Sequence, residues 1–478
     1  MFKINKIKYL GIGLLIFTYT ACKIPAVTVK TENTTSPSGY AQPGDSSTNT
    51  AKMPWKEYFT DPNLAALIDT ALRNNQELNI TLQEIEISRN EIQARKGEYL
   101  PFVGVKVGTG VEKVGRYTSR GAMEATTEIK PGKEMPEPLT DQLVAAYASW
   151  ELDIWHKLRN AKKAAMERYL SSIEGKNFLV TNLVAEVANS YYELVALDNE
   201  LEIVKQNIEI QRNALEIVKF QKEATRVTEL AVRKFEAEVL HTTSLQYDIM
   251  QQITETENRI NFLLGRHPQP IVRNQHAFDT LALNTIHAGI PSQLLSNRPD
   301  IRRHELELAA AKLDVKVARA RFFPSVGISA SLGYQAFNPS YLLKTPESLL
   351  YSLAGDLAAP LINRNAIKAD YYNANARQVQ AVFNYERSIV NAYFEVANQL
   401  AKIGNLEKKY DLKSKQVDAL TQSIEISNDL FKSARADYME VLLTQRDALD
   451  SKFELVETRK QQMSAMVNIY QALGGGWK

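Results

Sequence analysis

The chain has a single cysteine, Cys22, in 478 residues, so no disulfide can form within it. Proline is missing from two long stretches: none lies between Pro138 and Pro268, and none follows Pro360. Glycine is nearly as scarce there. Gly175 is the only one between Lys157 and Leu264, and Gly404 the only one between Pro360 and Gly474. With both helix breakers absent, these stretches predict very long helices. An excess of either charge is also lacking, since 57 Lys and Arg face 55 Asp and Glu; net charge gives no support to a nucleic-acid-binding surface. No G-x-x-x-x-G-K-[ST] loop is present, which excludes that route to nucleotide hydrolysis. The six histidines (156, 241, 267, 276, 287 and 304) show no metal-ligand spacing, and the nine methionines form no cluster. The sequence therefore argues for no enzyme activity, no metal and no cofactor. After the N-terminal region no apolar run reaches the length of a membrane-crossing helix.

The N-terminus has the form of an export signal over residues 1–21. Lys3, Lys6 and Lys8 precede an apolar run from Tyr9 to Tyr19, and small residues lead to Cys22. Tyr19-Thr20-Ala21-Cys22 resembles a bacterial lipobox, with Tyr19 where an aliphatic residue is usual; cleavage there leaves Cys22 first and acylated. One acyl chain anchors weakly, so further chains or an embedded body are needed. Lys23 fits onward sorting to the outer membrane. Residues 22–53 are rich in Thr, Ser, Pro and Gly and predict a flexible, lipid-anchored tether. The folded body begins near Trp55.

That body is written twice. Leu72-Arg73-Asn74-Asn75 leads into Tyr99-Leu100-Pro101-Phe102-Val103-Gly104, and Leu295-Ser296-Asn297-Arg298 leads into Phe322-Phe323-Pro324-Ser325-Val326-Gly327. The offset is a constant 223 residues (74 to 297, 101 to 324). Asn189-Ser190-Tyr191-Tyr192-Glu193 answers Asn391-Ala392-Tyr393-Phe394-Glu395, and Leu264-Gly265 answers Leu473-Gly474. The repeats span 54–289 and 290–478, each in the order helix, two strands, very long helix, half-length helix.

Val180, Val184, Val187, Tyr191, Leu194, Leu197, Leu201, Val204, Ile208, Leu215 and Val218 follow the three-four spacing of a coiled-coil seam. A helix over 157–222 is about 100 Å long at roughly 1.5 Å per residue. The returning helix stops near Gly265, at roughly half that length, and a helix from about Asn297 to Arg321 could make up the rest. The same arithmetic holds for 363–432, 438–473 and 64–99, and predicts a tall cylinder of long and half-length helices. Strands are expected at Val103–Gly108, around Leu143–Leu152, at Ser325–Tyr334 and at Leu349–Ala354, each with one apolar and one small or polar face. That alternation suits a lipid-facing, water-lined barrel wall and equally an ordinary half-buried sheet. Four strands cannot close a membrane barrel, since single-chain examples start at about eight; either the sheet is not a barrel or several protomers share one. Residues 116–139 are expected to form the longer outward loop.

Four stretches carry a resemblance to a known family: Trp55…Phe59-Thr60-Asp61-Pro62-Asn63-Leu64…Leu72…Asn75; Trp150-Glu151-Leu152-Asp153-Ile154-Trp155; Phe262-Leu263-Leu264-Gly265-Arg266-His267-Pro268; and Ile290-Pro291…Arg298-Pro299-Asp300-Ile301…Phe322-Phe323-Pro324. In this order they resemble the outer-membrane efflux proteins of the TolC-like superfamily, in the lipoprotein branch that works with resistance-nodulation-division pumps. The resemblance implies a mainly α fold with a small membrane β-barrel. It implies a homotrimer, with four strands per protomer giving a twelve-stranded barrel above a helical tunnel through the periplasm. It implies a passive exit duct for small molecules, served by a periplasmic adaptor and an inner-membrane pump, in contact with outer-membrane lipid. It also places the periplasmic tip at the helix turns near Lys222–Thr228 and Ser433–Tyr438, with the closed aperture lined by the helix after the second turn. Glu440 falls where the family has an acidic ring, which would attract cations, while Leu443 occupies a position that is acidic in some members. Arg435 and Asp437 are candidates to pair across subunits at the tip.

Pro299 suits the first turn of a helix, and Asp300 complements a helix N-terminus; with Arg298 they read as a structural motif. Pro101 and Pro324 mark helix-to-strand corners. Two other readings remain open at this point: an exit duct for type I protein secretion, and a periplasmic coiled-coil adaptor. Duplicated amphipathic strands argue against the adaptor.

Overall fold

The computed structural model describes residues 24–28, 30–40, 49–274, 278, 287–433 and 435–477. The export signal and Cys22 lie outside these residues. The described residues divide into two compact units. One takes the residues up to Thr31 with Ile87–Tyr169 and Leu306–Val382; the other takes Glu32–Glu86, Leu170–Glu305 and Phe383 onward.

The chain runs through α1 (Trp55–Tyr58), α2 (Pro62–Asn74), α3 (Gln76–Tyr99), β1 (Phe102–Glu112), α4 (Ser119–Thr126), β2 (Glu128–Lys130), β3 (Lys133–Glu134), β4 (Leu139–Leu152), α5 (Lys157–Glu223) and α6 (Glu229–Leu263). The second repeat gives α7 (Leu294–Asn297), α8 (Pro299–Ala320), β5 (Ser325–Ala336), β6 (Leu349–Ala358), α9 (Asn365–Lys432) and α10 (Tyr438–Ala472). Helices α5 and α9 have 67 and 68 residues, as the missing prolines and glycines predict.

The structure departs from the expectation of one helix over 64–99. The helix breaks at Asn75, whose backbone is extended (ψ 127°) and whose side-chain oxygen accepts from the Leu78 N–H at 2.9 Å, capping α3. The second repeat breaks in the same way at Arg298 (ψ 117°), so α8 starts at Pro299 rather than Asn297. The strands are longer than expected at both ends of the outward loop, because β1 and β4 pair from Phe102↔Ser149 to Glu112↔Leu139. That loop contains α4 and the β2–β3 hairpin.

In the unit that holds the strands, β1, β4, β5 and β6 form one antiparallel sheet in the order β1-β4-β5-β6. The other unit has its main core where α1, α2, the middle of α5 and the C-terminal parts of α6 and α10 meet. Leu64, Ile68, Tyr191, Leu194, Ile260 and Leu264 are buried there. Tyr58 stacks on Tyr470 at 4.1 Å, and each hydroxyl donates to a carbonyl of the other segment, Tyr58 to Met466 and Tyr470 to Met53. A smaller cluster of Leu197, Val204, Ile208 and Ile249 continues the α5–α6 seam.

The stretch expected as a tether has no helix or strand over 24–28 and 30–40, yet it is attached to α9. In the strand-bearing unit Ile24 and Val27 pack on Ala318, Phe322, Tyr371 and Ala374. In the other unit the Asn33 N–H donates to Glu386 at 3.0 Å, and Tyr40 stacks on Tyr393 at 5.6 Å.

Candidate functional site

The sheet register decides which side chains share a face. Val103, Val105 and Val107 stand opposite Ala148, Ala146 and Val144. These lie opposite Ala330, Leu332 and Tyr334, which lie opposite Leu353, Tyr351 and Leu349. The apolar row therefore continues across all four strands. The other face carries Gly104, Lys106 and Gly108, then Tyr147, Ala145 and Leu143, then Ser331, Gly333 and Gln335, with Ser352 and Leu350 beyond. Ser331 and Ser352 share a 2.7 Å hydrogen bond on that side, and the Gln335 amide donates to both Asp141 oxygens. Tyr351 and Leu353 are each 79 % exposed. An exposed apolar surface of this extent is far larger than a soluble protein leaves open. The ordinary half-buried sheet is the poorer account, because its apolar face would be covered.

At the far ends of the long helices, two turns share one core. Leu215 and Val218 of α5, Ala231, Val232 and Phe235 of α6, and Val441 and Leu442 of α10 form a buried cluster, with Phe431 and Tyr438 against it. The two turns are chemically unlike. In the first, Thr225 has a left-handed backbone (φ 57°), and Lys222 forms an ion pair with Glu229 across the turn. Arg233 binds the same Glu229 at 2.9 Å, and the Lys222 hydrogen bond holds that carboxyl below its ordinary pKa. In the second turn, Arg435, Asp437 and Glu440 are exposed, and among the described residues none makes an ion pair within the chain. Arg435 and Asp437 do not bond to one another. Glu440 lies in the first turn of α10 and heads an exposed stripe with Leu443, Asp447, Asp450 and Glu454, at steps of three and four residues on one helix face. The sequence reading stopped at Leu443 and missed Asp447 and Asp450, which the three-four spacing from Glu440 would have found.

Arg298 is buried, and its guanidinium is fully engaged. It donates to both Asp300 oxygens at 2.9 and 2.7 Å, to Glu395 at 2.5 Å, and to the Ala472 carbonyl at the end of α10 at 2.9 Å. Pro299 is the first residue of α8. A cavity of about 220 Å³ lies beside this clamp, lined by Thr181, Glu395, Gln399, Asn468 and Gln471 among others. Pro101 and Pro324 each stand one residue before a strand, β1 and β5. Among the described residues, no group of three or more His, Cys, Asp and Glu could hold a metal ion.

A profile of the outer membrane efflux protein family matches residues 67–266 and 290–475, which is most of both repeats. The chain belongs to the outer membrane efflux protein family. Its relatives include the pyoverdine export outer membrane protein OpmQ of Pseudomonas aeruginosa, 27 % identical, with 92 % of this chain and 90 % of OpmQ covered. The probable outer membrane lipoprotein SilC of Salmonella typhimurium is 25 % identical, with 88 % of each chain covered. A solved membrane protein from Pseudomonas aeruginosa has the same fold, with a TM-score of 0.85 at 24 % identity over 94 % of this chain and 99 % of that one. This efflux protein is accordingly an outer-membrane exit duct, a transport role, and its sheet is the element suited to lipid.

Proposed function

We propose that three copies of this efflux protein join their sheets into a twelve-stranded barrel, and that the long helices continue the duct across the periplasm. The sheet carries the proposal. Its four strands share one apolar and one small or polar face, while β1 and β6 each keep an edge without a partner strand among the described residues. In hydrocarbon an open edge leaves backbone N–H and C=O groups unsatisfied at several kcal/mol each. Closure through further copies removes every edge and turns the polar face to water. The duct is passive; a periplasmic adaptor couples it to an inner-membrane pump of the resistance-nodulation-division type. The export of pyoverdine by one relative supports small molecules, rather than secreted proteins, as cargo.

The signal 1–21 is removed, and Cys22 becomes the acylated N-terminus. Support comes from Ile24, which packs on Phe322 three residues before β5 and so keeps the start of the mature chain at the helix-bearing end of the sheet. The gate is the second turn with α10: three copies of Glu440 form a ring, and Arg435 and Asp437, which make no ion pair among the described residues, pair with neighbouring copies. Deletion of the gene, followed by growth inhibition across antibiotics, dyes, bile salts and metal ions, tests the cargo. Sensitisation reversed by the intact gene supports efflux. An unchanged profile with loss of a secreted protein supports secretion instead.

A further inference from the structure

Strands β4 and β6 each run into a long helix through a short corner, and the two corners repeat one pattern at an offset of 207 residues (154 to 361, 157 to 364). The first reads Ile154-Trp155-His156-Lys157 and the second Leu361-Ile362-Asn363-Arg364. The third residue of each is left-handed, φ 58° at His156 and 53° at Asn363. The two apolar residues before it stay exposed in both corners, Ile362 to 90 %. They prolong the apolar sheet face, which ends at Leu152 and Leu357. Both corners meet the one between α8 and β5: Trp155 stacks on Phe323 at 4.6 Å, and Arg364 lies over the Phe322 ring at 5.7 Å.

The helix turns that adjoin these corners carry cations without carboxylate partners. Lys162 and Lys163 in α5, Arg319 in the last turn of α8, and Arg364 and Lys368 at the start of α9 make no ion pair among the described residues. The corners differ in one respect. At the first, the Asp153 carboxylate accepts the Leu158 and Arg159 N–H groups at 2.9 Å each, capping α5. At the second, the matching position is Pro360, which has no side-chain acceptor. There one η-nitrogen of Arg364 has no hydrogen-bond partner among the described residues, beside the first turn of a 68-residue helix.

We propose that these corners are a docking surface for anionic phospholipid, with the stronger headgroup seat at Arg364 and Lys368. A phosphodiester supplies the anionic oxygens that Asp153 provides at the first corner and Pro360 does not provide at the second, and guanidinium and helix N–H groups are suited to bind them. The acyl chains continue along Leu361, Ile362 and the apolar sheet face. Charge and apolar surface together select a lipid over a soluble anion. The inference rests on the lipid-facing reading of the sheet.

The test uses the full-length protein in micelles containing equal phosphatidylglycerol and phosphatidylcholine, with retained lipid counted by native mass spectrometry. The wild type is expected to retain phosphatidylglycerol preferentially. At about 1 kcal/mol per basic residue near an anionic surface, Arg364→Gln with Lys368→Gln should cut that preference roughly tenfold or more. Arg364→Lys, which keeps the charge, should retain most of it, separating headgroup binding from misfolding. Equal retention of the two lipids by the wild type, or a preference unchanged in the double variant, overturns the proposal. Loss of the preference on adding inorganic phosphate in slight excess over lipid also overturns it, by revealing a site for free anions. Failure of the wild type to insert into phosphatidylcholine vesicles instead refutes the lipid-facing sheet, and is read separately by vesicle flotation.

Discussion

Asn75 and Arg298, 223 residues apart, do the same work. Asn75 donates from Nδ2 to the Leu263 carbonyl at 2.9 Å, and Arg298 donates from Nη1 to the Ala472 carbonyl at 2.9 Å. Each thereby ties the break between two helices to the last turn of the half-length helix of its own repeat. The glycine that follows each of those helices completes the match. A Cβ on Gly265 would stand 2.4 Å from the Asn74 carbonyl oxygen, and one on Gly474 would stand 2.6 Å from that of Asn297; both glycines have positive φ.

The two ties should differ in strength. Arg298→Ala strands Asp300 in a partly buried site, and breaking such a pair costs about 3–5 kcal/mol. Asn75→Ala loses neutral hydrogen bonds worth about 1–2 kcal/mol in all. Thermal unfolding of the detergent-solubilised protein should rank Arg298→Ala well below Asn75→Ala, and an equal or reversed ranking would show that the clamp does not act through its charges.

The sheet faces can be separated by a single charge. Val105→Lys puts an ammonium on the apolar face, where a mid-membrane position costs about 2–4 kcal/mol. Ser329→Lys puts the same group on the polar face. Folding yield into lipid vesicles should fall for the first and stay near wild type for the second; similar losses would contradict the assignment of the faces.

Glu440→Ala should lower the cation preference of reconstituted channels. Asp447→Asn and Asp450→Asn should add smaller decreases, since all three lie on one exposed stripe. Reversal potentials in a salt gradient measure this directly. If they stay at the wild-type value in the triple variant, the stripe does not line the pore.

Glu200 gives the helical part a pH dependence. Burial raises its carboxyl from the ordinary 4.5 to about 7, with Lys460 opposing the rise and Glu457 adding to it. Because the folded pKa is the higher, the folded state keeps this proton where the unfolded chain has lost it. Its contribution is fullest below about pH 4.5 and declines as pH rises to about 7. Glu200→Gln should remove that decline from a plot of melting temperature against pH. A slope that survives the substitution would assign it to another group.

The long helices were legible because their two breakers are missing, and the strands because their alternation is strict. The break at Arg298 was legible too, because Pro299 and Asp300 suit a helix start. The break at Asn75 was not: no proline follows it, and only its partners Leu78 and Leu263 fix the bend. The second turn was located from the sequence to within a residue. The contrast between its free charges and the closed Lys222–Glu229–Arg233 set depends on which side chains meet across a turn, and spacing does not report that. The stretch up to Tyr40 read as a loose tether because Ile24, Val27 and Tyr40 have no period of their own; their spacing is set by the residues beneath them, Ala318, Phe322, Tyr371, Ala374 and Tyr393.

The middle seam of the sheet joins β4 to β5, from Gln142↔Ala336 to Leu152↔Val326, and so joins one repeat to the other. Neither repeat can complete the four-stranded sheet alone. The β1–β4 ribbon must wait, with its valines uncovered, while the chain from Asp153 to Pro324 is synthesised and exported. Such a ribbon is a ready template for the wrong strand. A chain truncated before β5 should therefore keep that ribbon open, and should aggregate more readily than the full-length chain.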